Sequence, residues 1–213
     1  MDRRELLTSA SAGGMAVLAG CADPLFTATN SCSHSIPSDL HSTASDGFPT
    51  ISVTEEMPKS IREGEYSAAV WVSQQYSEES VAKIEIEVLN DGNSSREDYW
   101  GPTPPFNGYR GDKADGDATI WVAPSPPLDS EAGIEHIETA PNDQGGDLSE
   151  PIDGCWQVKS VSSPDYERQI QFRPCEKMQQ IYSVYAGADN DGCLPAGKYQ
   201  FEGVYWGFEL LVE

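Results

Sequence analysis

Few residues in this chain are able to do chemistry, and the cysteines come first among them. The 213 residues include five cysteines and three histidines. Cys32, Cys155, Cys175 and Cys193 lie beyond the N-terminal segment, and four thiols in an oxidising exterior allow three connectivities. Cys155 and Cys193 each follow Asp-Gly, which puts both in exposed loops that could meet. Cys175 is then free or bonds to Cys32. Strand counting makes a rival case: in a simple up-and-down meander from Trp156, the Pro174-Cys175 turn returns to the end of the sheet where Cys155 starts. Zinc has little support, because no Cys-x₂-Cys occurs and His136 stands alone in a long loop. A blue-copper site would need His or Met after Cys193, and neither is there.

Other residue types give weaker signals. Asp112, Asp115 and Asp117 surround Gly116, and Asp189-Asn190-Asp191-Gly192 forms a second acidic cluster, so both are weak calcium candidates. Neither has the spacing of an EF-hand loop. Carboxylate-pair hydrolysis fits the residue types, but nothing singles out one pair among 35 acids. A Ser-His-Asp arrangement would have to use His136, which no Gly-x-Ser-x-Gly elbow precedes. His34 and His41 fall in a Ser/Thr-rich stretch and read as linker residues. Trp100, Phe106 and Tyr109 crowd the loop Gly101-Pro102-Thr103-Pro104-Pro105-Phe106, a possible surface for gripping a glycan or a protein partner. The alternative is that these rings plug the core. Asn93-Ser94-Ser95 matches an N-glycosylation acceptor, and no residue pattern asks for a cofactor.

The elements that would position these residues read as strands. Ala82, Ile84, Ile86 and Val88 alternate with Lys83, Glu85 and Glu87, which buries one face of a strand over Val81 to Leu89. Asn90-Asp91-Gly92 then supplies turn chemistry and predicts a hairpin with Arg96 to Trp100. Further strands are expected at Ile51 and Val53, and over Tyr66 to Val72, Ala118 to Ala123, Trp156 to Val161, Tyr166 to Phe172, Met178 to Tyr185, Lys198 to Val204 and Phe208 to Val212. No stretch holds a helical period for three turns. The fold expected over residues 48–213 is therefore an all-β, antiparallel, Ig-like or Greek-key sandwich. Pro124 to Gly154 reads as a long loop rich in Pro, Gly and acid.

Thirteen Lys and Arg stand against 35 Asp and Glu, a formal net charge of −22. Such a chain cannot neutralise phosphates, which excludes nucleic acid as a partner. The acids are interspersed rather than blocked, a solvated surface suited to molar salt, where the Debye length falls to about 3 Å and self-repulsion is screened. Arg3-Arg4, a short apolar run to Val17 and Leu18-Ala19-Gly20-Cys21 follow the order of a signal peptide, too short to span a bilayer. Twin arginines point to twin-arginine export. The Leu18-to-Cys21 run resembles a lipobox, with residues 1–20 removed and Cys21 lipid-modified. Residues 21–47, with six Ser and three Thr after Cys21, then read as a flexible tether.

Composition, twin arginines and lipobox together resemble the haloarchaeal surface lipoproteins with an Ig-like domain. Leu194-Pro195-Ala196-Gly197-Lys198-Tyr199 resembles the tyrosine corner that closes Greek-key sandwiches, and with Asp191-Gly192-Cys193 and Trp206-Gly207-Phe208 it adds to that likeness. The resemblance covers most of residues 50–213 and implies a fold and an address, but no chemistry. Similar lipoproteins carry a cysteine at both places, which favours Cys155–Cys193. The expectation is an extracytoplasmic module held to the outer face of the cell membrane by its lipid anchor. It would bind an envelope protein or glycan or serve a structural role there, with a hydrolase as the competing class.

Overall fold

In the computed structural model the described residues are 32–38, 43–57, 66–125, 136–139, 151, 154–162, 167–203 and 206–213. Arg3, Arg4, Cys21 and His41 lie outside them. Twelve strands and no helix occur among the described residues. They are β1 Ile51–Met57, β2 Ser67–Gln74, β3 Ala82–Leu89, β4 Arg96–Trp100, β5 Arg110–Lys113, β6 Thr119–Pro124, β7 His136–Thr139, β8 Gln157–Ser162, β9 Arg168–Phe172, β10 Lys177–Gly187, β11 Gly197–Glu202 and β12 Gly207–Val212.

Hydrogen bonding runs unbroken through eight strands in the order β1-β12-β11-β5-β6-β10-β3-β2, every neighbouring pair antiparallel. The antiparallel all-β sandwich expected from the sequence is thus built from one curled sheet. An even number of alternating strands brings β1 and β2 together antiparallel. The seam between these two strands is bridged by a side chain. The Ile51 amide donates to Gln75 Oε1 at 2.9 Å, and Gln75 Nε2 donates to the Ile51 carbonyl at 2.7 Å. The buried Gln75 amide stands in for a peptide group, satisfying backbone atoms that would otherwise be stranded.

Alternation decides which face turns inward. Ala82, Ile84, Ile86 and Val88 of β3 are fully buried, as are Ile120 and Val122 of β6, Tyr182 and Val184 of β10, Tyr199 and Phe201 of β11, and Phe208 and Leu210 of β12. Each large aliphatic side chain removed from water contributes about 1.5–3 kcal/mol. Phe201 and Phe208 stack at 4.7 Å. Gly111 of β5 permits that packing, because a Cβ there would meet the Phe201 ring at 2.5 Å and Ile120 Cγ2 at 2.9 Å.

Some connections differ from expectation. β4 does not form a hairpin with β3: it pairs with β9 in a separate two-stranded sheet, while β3 lies between β2 and β10. The reason is Asn90, which is wholly buried. Its Nδ2 donates to the carbonyls of Ser94 and Arg173, each at 3.0 Å. Its backbone carbonyl accepts from the Cys175 amide at 2.9 Å, and its amide donates to the Glu176 carbonyl at 3.0 Å. The turn after β3 is therefore fastened to the turn before β10. The meander from Trp156 also fails, since β8 pairs with β10 in parallel and β9 leaves the main sheet between them. β7 and β5 were not expected. β7 pairs with β8, so the 124–154 stretch contains a strand, and short β5 carries only a single buried residue, Gly111.

Candidate functional site

The most concentrated group of chemically capable side chains lies on the outer face of β2, β3 and β10. The register places Leu89 between Ser67 and Lys177, and Glu87 between Ala69 and Gln179. With a two-residue period, Ser67, Glu87 and Lys177 share the face opposite the buried Ile86 and Val88. An outward Glu would normally meet water, yet Glu87 is only 1% exposed. What occupies its oxygen is the segment 32–38. Glu87 Oε1 accepts from His34 Nδ1 at 2.8 Å and from the Ser35 amide at 3.2 Å, with Lys177 Nζ at 3.3 Å. Lys177 Nζ also donates to Ser35 Oγ at 2.7 Å. The segment is fastened covalently two residues before His34, by a disulfide from Cys32 to Cys175 with Cα atoms 5.2 Å apart.

His34 is therefore held in place, contrary to its reading as a linker residue. Its other ring nitrogen, Nε2, lies 2.9 Å from Ser67 Oγ. The carboxylate fixes the polarity of this chain. Glu87 Oε1 offers lone pairs, so Nδ1 is the donor to it, and in the singly protonated ring Nε2 is free to accept from the Ser67 hydroxyl. Oxygen, imidazole and carboxylate thus stand in line: a half-buried hydroxyl, a base against it, and an acid orienting the base. Sequence reading missed this group because its members are 33 and 53 residues apart and the stretch holding His34 has no periodicity. The only local hint was Glu87 itself, an acid at the outward position of a strand whose other face is buried.

The structure corrects the aromatic surface. Trp100, Phe106 and Tyr109 are all buried, so they plug the core and expose no gripping face. Trp100 packs edge-on against Tyr66 at 5.7 Å, and Phe106 lies 5.0 Å from Trp206 and 5.1 Å from Phe208. The Phe106 amide donates to Tyr182 Oη at 3.2 Å, and Tyr109 is hydrogen-bonded to Thr103. The Pro104–Pro105 bond is cis, one residue before the Phe106 plug.

The acidic candidates do not converge. Asp112, an exposed residue of β5, pairs with Arg110 at 2.9 Å, and Asp115, on the exposed β5–β6 turn with Asp117, lies 3.9 Å from Lys113. Among the described residues no group of three His, Cys, Asp or Glu side chains could hold a metal ion. In the second acidic cluster Asn190 is the structural residue. Its Oδ1 accepts from the Thr119 amide at 2.7 Å, and its Nδ2 donates to the carbonyls of Thr119 at 2.8 Å and Cys193 at 3.1 Å. The side chain of His136 lies outside the described residues. Asn93 is exposed in the turn after β3.

Cys155 and Cys193 are joined, with Cα atoms 5.4 Å apart. Beside them Tyr199 Oη donates to the Pro195 carbonyl at 2.7 Å, the back-bonding of a tyrosine corner. Burial, with the charge of Asp115 second, pushes the Tyr199 phenol up to about 12. Burial also raises the Tyr76 and Tyr185 phenols. Glu209 is held below the usual carboxylate range, first by the hydrogen bond from Lys198 Nζ at 2.8 Å and then by that from Thr54 Oγ1 at 2.6 Å.

The fold and this geometry define an all-β domain with two disulfides and a docked segment, 32–38. No family model matches the chain, and no curated protein or solved structure is significantly similar to it.

Proposed function

We propose that the chain is a lipid-anchored cell-surface module of halophilic type, exported through Arg3-Arg4 and held to the outer face of the membrane by Cys21. It binds or braces another envelope component, a protein or a glycan. The observation that carries this reading is the use of the cysteines. Two disulfides consume Cys32, Cys155, Cys175 and Cys193, all four cysteines downstream of the lipobox, which leaves Cys21 as the odd one. Paired bridges suit an oxidising exterior, and the remaining thiol stands where a lipid would be attached. The likeness to haloarchaeal surface lipoproteins, carried by the same lipobox and by the net charge of −22, agrees with that address.

The Cys32–Cys175 bridge sharpens what such a module does. Eleven residue steps separate Cys21 from Cys32, and an extended chain spans at most about 3.3–3.6 Å per residue. The domain's attachment point at Cys32 then lies within about 40 Å of the lipid-bearing residue, a short tether rather than a long stalk. The test is to replace Cys21 by Ser and fractionate the cells. The variant is expected in the soluble or released fraction. If it still sediments quantitatively with membranes, the anchor is elsewhere and the proposal fails.

A further inference from the structure

We propose that Ser67 is an acyl-accepting nucleophile, with His34 as its general base and Glu87 as the residue that positions His34, and that the site takes carboxylic esters. The inference does not rest on the anchor. It starts from the line Ser67 Oγ, 2.9 Å, His34 Nε2, then His34 Nδ1, 2.8 Å, Glu87 Oε1. Both distances fall within the reach that proton transfer requires.

A segment that only needed fastening is already fastened without this line, by the Cys32–Cys175 bridge and by Ser35 on Lys177 and Glu87. Desolvation does not demand the bond to Ser67 either. Ser67 is half-buried, so water could satisfy its hydroxyl as well as an imidazole does. The buried end of the line is the carboxylate and the accessible end is the hydroxyl, which is the order that nucleophilic catalysis uses.

The reaction balances with water alone. Ser67 Oγ attacks the ester carbonyl carbon as its proton passes to His34 Nε2, and Glu87 stabilises the imidazolium. The carbon–oxygen bond to the alcohol breaks, and the departing alkoxide takes that proton. Water then attacks the Ser67 acyl ester, gives a proton to His34, and the acid leaves as Ser67 regains its hydrogen. In molar salt the net charge of −22 is screened beyond about 3 Å, so it does not discriminate between neutral and anionic esters. The substrate class is set by the acyl carbon that a serine hydroxyl attacks.

The experiment uses the full mature chain in molar salt with both bridges confirmed by non-reducing peptide mapping. It is treated with a fluorophosphonate and, separately, with p-nitrophenyl acetate. General-base assistance contributes about 10²–10⁴-fold, so phosphonylation of Ser67 should run at least about 100-fold faster than at any other serine. Heat unfolding and Ser67→Ala should each abolish it. Glu87→Gln keeps an oxygen toward Nδ1, because the Ser35 amide and Lys177 Nζ face the same atom, but it removes the charge that stabilises the imidazolium, so kcat for the acetate should fall with KM unchanged. His34→Gln should reduce labelling to the level of the other serines, with the Cys32–Cys175 peptide still linked. Absence of a Ser67 adduct in the folded chain overturns the proposal. So does an adduct whose rate survives both His34→Gln and Glu87→Gln.

Discussion

Two regions of this domain are built from the same parts, a disulfide and a side-chain amide that substitutes for a peptide group, yet different physics stabilises each. At the Cys155–Cys193 bridge the neighbours are apolar: Trp156, Leu194 and Tyr199 are buried and Asn190 completes the ladder of β6. Its polar contacts join neutral groups. At the Cys32–Cys175 bridge, Asn90 likewise fastens the turn, but the docked segment lies on an outer face and is held by Glu87, Lys177 and His34. The first region is an extension of the core. The second arranges charged and titratable groups around a half-buried hydroxyl, a costly arrangement for a merely structural contact. The difference separates what holds the domain together from what gives it chemistry.

Removing the bridges probes that comparison with the largest effect. In the chain-entropy account a closed loop of 143 residues contributes about 5 kcal/mol and one of 38 about 4 kcal/mol. At roughly 2–4 °C per kcal/mol for a chain of this size, either double Cys→Ser variant should melt about 8–20 °C below the parent in a calorimetric scan. Their local behaviour should part. Without Cys32–Cys175 the segment 32–38 becomes cleavable by protease under native conditions, whereas without Cys155–Cys193 it stays protected. Equal nicking of the two variants would show that the docked segment is not a separate unit.

A smaller effect distinguishes the two asparagines. Asn90 is 0% exposed and Asn190 only partly buried. A buried polar group left without a partner costs about 1–3 kcal/mol, while one that water can reach costs less. Asn90→Ala should therefore lose about 3 kcal/mol in urea unfolding and Asn190→Ala about 1–2 kcal/mol. If Asn190→Ala loses more, its turn is drier than its exposure suggests, and the two regions are alike in kind.

How much of this was legible in the sequence follows from how local each signal is. The inward face of β3 could be read from Ala82, Ile84, Ile86 and Val88, because alternation is a property of neighbouring residues. The tyrosine corner at Tyr199 depends on a carbonyl four residues upstream, and paired Asp-Gly-Cys loops marked Cys155 and Cys193. The partner of β4 was not legible, since Asn90 carries a hairpin signal but spends its side chain on Arg173, 83 residues away. For His34 the signal is wholly non-local. A histidine among serines has no periodicity, and only the outward position of Glu87 made a partner for that acid conceivable. Burial of Trp100, Phe106 and Tyr109 came from the same limit: a Pro-rich aromatic loop looks alike in sequence whether it faces water or the core.

The smallest expected effect lies on the alkaline side and belongs to the core-like region. The folded Tyr199 phenol ionises only at about 12, above the ordinary value of 10.0, with burial as the main cause. A group raised in this way stabilises the fold fully below its unfolded value, and that contribution is lost as pH climbs through the folded one. The unfolded chain therefore begins to gain from ionising Tyr199 near pH 10, and Tyr76 and Tyr185, also raised by burial, act in the same direction. Tyr199→Phe loses the hydrogen bond to Pro195, about 1 kcal/mol at neutral pH, but it also loses this alkaline liability. The stability gap between parent and variant, read from urea unfolding at pH 8 and again at pH 11, should narrow. A gap that stays constant would mean that the phenol ionises as readily in the folded chain as in the unfolded one, and the corner would then owe its stability to something other than a dry, neutral phenol.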